Sequence, residues 1–171
     1  MSNYPISLKL LSMPLLVAAL SLSACSKKAP QGLPPAPGDN ADYNQSSSGP
    51  IKGSQEDFLA NVAADRIFFD TDRSNVDSAD QEVLRSQAAW LLANPSVRIR
   101  VEGHCDERGT REYNLALGER RANAAKNYLS TLGVELSRVS VVSYGKERPD
   151  ALASDEQSWG KNRRAVTVTV R

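Results

Sequence analysis

Reactive side chains are scarce in this 171-residue chain: two cysteines, Cys25 and Cys105, and one histidine, His104. Two cysteines are too few for a disulfide framework. One histidine and one neighbouring thiol fall short of the three or four ligands that a zinc site needs. They also face opposite sides of any strand that carries them, so His104 and Cys105 do not read as a base and its nucleophile. No triad, metal motif or phosphate loop occurs elsewhere, so neither a cofactor nor catalysis is expected. Excess charge is missing as well. The formal net charge is +1, and with Lys9 set aside the rest of the chain carries 20 basic and 20 acidic residues. Nucleic-acid binding through phosphate neutralisation requires a basic stripe, so that class is excluded. The 40% hydrophobic and 24% charged fractions suit one globular core with an appendage.

The appendage comes first. Residues 1–24 read as a secretory signal: Lys9, then an apolar run over 10–22 broken by Pro14, too short to span a bilayer comfortably. The run ends in Leu22-Ser23-Ala24-Cys25, which resembles the lipobox of bacterial lipoproteins and makes Cys25 the lipidation residue. Several acyl chains on one thiol hold a protein stably, since each buried CH₂ contributes about 0.8 kcal/mol. Ser26 stands where Asp usually marks inner-membrane retention, so the outer membrane is the expected address. Residues 25–53 are rich in Pro, Gly, Ser, Asn and Gln with no hydrophobic period, the composition of a disordered tether. Such a length spans roughly 30 Å as a coil and about 100 Å when taut.

Residues 54–171 carry the periodicities of a folded domain. Ser54 caps a short helix reaching Val62, and RIFFD at 66–70 is a strand. A helix starts at Asp77 or Ser78, carries Val83, Leu84, Ala88, Leu91 and Leu92 inward, and stops at Asn94-Pro95. Residues 97–103 alternate as a second strand, and 111–132 form a second long helix closed by Gly133. Strands follow at 139–144 and 164–170, with a loop over 150–160 that holds at most one helical turn. The order β-α-β-α-β-β gives an α+β two-layer sandwich, with helices on one face of a mixed sheet. Right-handed crossovers make the first three strands parallel neighbours or near-neighbours.

The densest functional signal is residues 102–122, EGHCDERGTREYNLALGERRA, with nine charged side chains and three glycines at a strand-loop-helix junction. Centring the helix stripe on Ala125 puts Gly118, Arg121, Ala122, Tyr128, Leu129 and Leu132 inside. Arg121 thus points a guanidinium at the core, where it must be paired or lose several kcal/mol. Either it ties down loop carbonyls or an internal acid, or it flanks a small pocket with Asp106. An opposed carboxylate and guanidinium would receive the ammonium and carboxylate of an amino-acid zwitterion.

The same run GHCDERGTREYNLALGERRAN, followed by SYGKERP and NRRAV, resembles the peptidoglycan-associated lipoproteins of Gram-negative bacteria, and more broadly the OmpA-like domain family. The resemblance covers about 67–171 and the lipobox. It implies an OmpA-like fold, no enzymatic activity, and a non-covalent grip on the diaminopimelate of the peptidoglycan stem peptide. Asp106 would take the ammonium and Arg121 the carboxylate, with Asp70, Asn114 and Arg163 or Arg164 as further lining. It also implies a place in the Tol–Pal system beside the propeller TolB, which would touch the loop after the first strand and residues 107–111. The alternatives are an OmpA-domain lipoprotein of another envelope machine, such as outer-membrane assembly, and a peptidoglycan hydrolase. Cys105 departs from the small residue that relatives place there and reads as a buried small hydrophobe.

Overall fold

A computed structural model of the chain describes residues 49–170; the signal segment, Cys25 and most of the tether lie outside the described residues. The elements in order are α1 (Gln55–Asn61), β1 (Arg66–Phe68), α2 (Ser78–Ala93), β2 (Arg98–His104), α3 (Arg111–Thr131), a single 3-10 turn (Leu136–Arg138), β3 (Val139–Gly145), α4 (Glu156–Asn162) and β4 (Arg164–Val170). Each α-helix begins where a side chain satisfies an orphan amide. Ser54, Asp77, Thr110 and Asp155 accept from the backbone N–H of Asp57, Asp80, Tyr113 and Ser158. Gly133 closes α3 at φ +95°, a conformation only glycine takes without strain.

The four strands form one sheet in the order β1-β4-β2-β3. β2 and β3 pair in parallel, as a right-handed crossover through α3 requires, whereas β4 inserts antiparallel between β1 and β2. β1 and β2 are therefore parallel near-neighbours with the last strand between them. All this makes the mixed α+β sandwich read from the sequence, with one addition: residues 156–162 form a full α4 where only a turn was expected.

The core is continuous between sheet and helices. Phe58, Leu84, Ala88, Trp90 and Leu91 from α1 and α2 meet Ile67, Ile99 and Val101 of the strands and Ala122, Ala125 and Leu129 of α3. Trp90 packs edge-on against Phe58, ring centroids 5.0 Å apart. Leu92 is exposed, contrary to the inward stripe expected, because the stripe turns through Trp90 to reach α1.

β4 inverts its apparent pattern. Ala165 lies opposite Gly103 and must face the helices, so strand parity puts Thr167 inside and Val166, Val168 and Val170 on the open face. The buried Thr167 hydroxyl donates to Gln87 Oε1 (2.8 Å), and Gln87 Nε2 donates to the Ala64 carbonyl (2.8 Å). That chain of bonds removes the cost of a polar group in the core.

Candidate functional site

Helix α3 reaches the sheet through glycines. A Cβ on Gly103 would overlap the Gly118 carbonyl oxygen, and one on Gly118 would run into Ser143 Oγ. Gly145, at φ +51°, gives the same clearance under Asn114. The helix therefore lies directly on the ends of β2 and β3, and Arg121, one turn beyond Gly118, arrives beneath the loop that leaves β2.

There Arg121 is fully buried, at 0% exposure. Its Nε donates to the Arg73 carbonyl (2.9 Å), Nη1 to the His104 carbonyl (2.9 Å) and Nη2 to the Asp70 carbonyl (3.0 Å). Of the two roles left open by its inward position, tying loop carbonyls is thus filled. Burial lowers its pKa, and the guanidinium remains a cation held by carbonyl dipoles. Three of its five N–H donors go to these carbonyls, and the Cys105 sulfur in the cleft wall is a further partner of the guanidinium. Asp106, at 7% exposure, also lines this spot. Among the described residues its ion pairs are not with Arg121. Arg108 reaches it through Nε (3.1 Å), Nη2 (2.7 Å) and the backbone N–H (3.1 Å), and Arg163 Nη1 stands at 3.4 Å. Burial works to raise the Asp106 pKa, and these bonds overcome it, so the carboxyl lies below its ordinary value.

Both groups line a cleft of about 270 Å³, together with Thr71, Asp72, Cys105, Arg108, Gly109, Tyr113, Asn114 and Leu117. Asn114 Nδ2 donates to the Arg108 and Thr110 carbonyls, shaping the loop. Two expected lining residues are placed otherwise. Asp70 offers its carbonyl to Arg121 while its side chain lines a separate cleft with Asn75, Asp77 and Asp80. Arg163 supports from behind, donating to the Phe69 carbonyl, Asp106 and Glu156.

Sequence reasoning missed Arg108, Thr71, Asp72 and Trp159 as parts of this construction. The Arg108 guanidinium lies over Trp159 (4.2 Å to the ring centroid), and the indole N–H donates to Glu107 (3.0 Å). The signal for Arg108 was its place two residues after Asp106, a spacing at which side chain and backbone can both reach the carboxylate. Trp159 lies 51 residues from Arg108, and only the fold brings them together.

His104 and Cys105 face opposite ways, as adjacent strand residues do. The Cys105 thiol donates to the Asn114 carbonyl (3.3 Å) in the cleft wall, and burial raises its pKa, which keeps it protonated. The His104 ring is buried on the open face of the sheet, 5.5 Å from the Tyr144 ring, with its pKa lowered to about 4 by burial and by the Arg164 guanidinium. The pair is built as packing, and neither member is tuned for proton transfer at neutral pH. Among the described residues no cluster of His, Cys, Asp and Glu could hold a metal ion.

Comparison with known proteins agrees with this architecture. The OmpA family profile matches residues 68–163, from the last residue of β1 through the whole cleft. The chain belongs to the OmpA family. Within that family, the peptidoglycan-associated lipoprotein of Agrobacterium fabrum is 49% identical over 150 residues, covering 88% of this chain and 82% of the relative. The protein of that name from Pasteurella multocida is 50% identical over 100 residues, covering 58% and 67%. The crystal structure of the peptidoglycan-associated lipoprotein from Burkholderia pseudomallei superposes with a TM-score of 0.61 at 44% identity, covering 66% of this chain and 93% of that one. The C-terminal domain of Helicobacter pylori MotB shares the OmpA-family fold at a TM-score of 0.58 and 20% identity, covering 64% and 86%.

Proposed function

We propose that this OmpA-family chain is a lipoprotein of the outer membrane that holds the cell wall non-covalently. In this reading the cleft at the β2–α3 junction takes the diaminopimelate side chain of a peptidoglycan stem peptide. The observation that carries it is a buried carboxylate and a buried guanidinium in the walls of one small cleft, in a chain whose 49%-identical relative is named for its association with peptidoglycan. Diaminopimelate ends in an amino-acid zwitterion. The Arg121 guanidinium, with N–H groups beyond those given to the three carbonyls, suits its carboxylate, and the outer lone pairs of Asp106, shared with Arg108, suit its ammonium. Cys25 would carry the lipid, residues 25–53 would span the gap, and the folded domain from Ser54 onward would grip the wall. A place in the Tol–Pal system, with TolB meeting the rim of the cleft at residues 107–111, belongs to the same proposal.

Pull-down with purified sacculi tests it. Asp106→Asn keeps the shape of the side chain and withdraws its charge, so binding should fall at least tenfold while unfolding stays cooperative. Undiminished binding by a folded Asp106→Asn protein would sink the pocket. Release of soluble muropeptides by the wild type would show instead a hydrolase.

A further inference from the structure

An ionised carboxylate offers about four lone-pair sites, and those of Asp106 are already taken. Oδ1 accepts from the Arg108 backbone N–H and from Arg108 Nε, both at 3.1 Å. Oδ2 accepts from Arg108 Nη2 at 2.7 Å and from Arg163 Nη1 at 3.4 Å. The Nε and Nη2 bonds come from one side chain in bidentate geometry. The Arg108 side chain is 39% exposed and that of Asp106 only 9%, so the guanidinium lies outermost and covers the carboxylate.

The two arginines on Asp106 are held differently. Arg163 is enclosed, and it also donates to the Phe69 carbonyl (2.9 Å) and to Glu156 (2.7 Å). Arg108 has a second set of contacts that do not involve Asp106. Its guanidinium rests on the Trp159 ring, and Nη2 reaches Thr71 Oγ1 (3.2 Å). Its pKa is raised first by Asp106 and then by Glu156 and Asp72, so negative charge also faces it from elsewhere. Thr71 and Asp72 line the same cleft. A shift of the guanidinium along the indole toward them gives up the Asp106 bonds and keeps the stacking.

We propose that Arg108 fills the ammonium place of the cleft in the unliganded chain and is displaced by a ligand that brings an ammonium of its own. The inference rests on the cleft reading of the preceding section. An incoming ammonium carries three donors and one positive charge, so it replaces both side-chain bonds of Arg108 and leaves Asp106 neutralised. A ligand with a carboxylate alone leaves Arg108 in place. A lone ammonium, with no carboxylate for Arg121, meets the competition of Arg108 unaided. Arg108 is therefore a specificity-determining residue that biases the cleft toward zwitterions.

The test is calorimetric titration of the full chain and its Arg108→Met variant with two stem peptides. One ends in diaminopimelate; the other ends in 2-aminopimelate, which keeps the side-chain carboxylate and lacks the ammonium. Methionine keeps an unbranched stem over Trp159 and donates nothing to Asp106. The variant should bind the diaminopimelate peptide about fivefold tighter than the wild type does, the upper range for a half-exposed ion pair, with the 2-aminopimelate peptide unchanged. Weaker binding of the diaminopimelate peptide at an unchanged thermal midpoint, or an equal gain for both peptides, overturns the displacement and leaves the cleft reading standing. A wild type that binds neither peptide overturns the cleft reading and the displacement with it. A second readout needs no variant. The chain has two tryptophans, and Trp90 is packed in the core against Phe58, so emission that changes with ligand reports Trp159. Saturating diaminopimelate peptide should shift that emission as Arg108 moves on the ring, and 2-aminopimelate peptide should not. A shift common to both peptides, or absent with both, overturns the displacement.

Discussion

Arg121 sets the behaviour of the site, and it was visible in the sequence as an anomaly. Arg121 stood out because a guanidinium occupied a stripe position. Its three carbonyl acceptors could not be read there, since Arg73 and Asp70 are about fifty residues away and pattern does not record backbone carbonyls. Arg121→Ala would leave those three carbonyls without their donor, at a cost of about 1–3 kcal/mol for each left unsatisfied. Its denaturation midpoint should fall accordingly, so loss of wall binding in that variant cannot be assigned to the ligand alone. His104 gives a pH signature. Its folded pKa of about 4 lies below the ordinary 6.5, so between those values the unfolded chain binds the extra proton. Stability should therefore be full above pH 6.5 and decline as pH falls toward 4, by roughly 2–3 kcal/mol. His104→Asn should flatten that limb in a urea titration at stepped pH. Asp106, with a lowered pKa, contributes stability that is present above its ordinary value of 3.8 and lost only below it, in a separate window.

Among the elements, the junction of α3 with β2 and β3 decides whether the cleft exists. Gly118→Ala pushes a methyl into Ser143 and the Gly103 backbone, lifting the helix that carries Arg121; it should destabilise by about 1–3 kcal/mol. Gly160→Ala, in α4, meets nothing closer than an Arg163 nitrogen at 3.6 Å and should be neutral or stabilising by up to about 1 kcal/mol. Thermal melts of the pair separate close approach from helix propensity. Most of this level was legible, because caps and periods are local: Asp77 and Gly133 bounded their helices as their chemistry predicts. β4 was legible as a strand but its facing was not. Alternating Val and Thr suggests Val inside, and only the pairing of Ala165 with Gly103 reverses it.

Considered whole, the molecule separates a cleft at one end of β2 from a chain entry at the other, which suits a domain that joins two surfaces. Titration of the lipid-free chain with defined stem peptides tests the cleft most directly. The core closes within residues 58–165, so that chain, starting at Ser26, retains the whole domain. A stem peptide ending in diaminopimelate should give saturable heat, and its lysine counterpart, lacking the second carboxylate, should bind at least tenfold more weakly. Equal binding of the two peptides would contradict the role given to Arg121 and, with it, the account of the site.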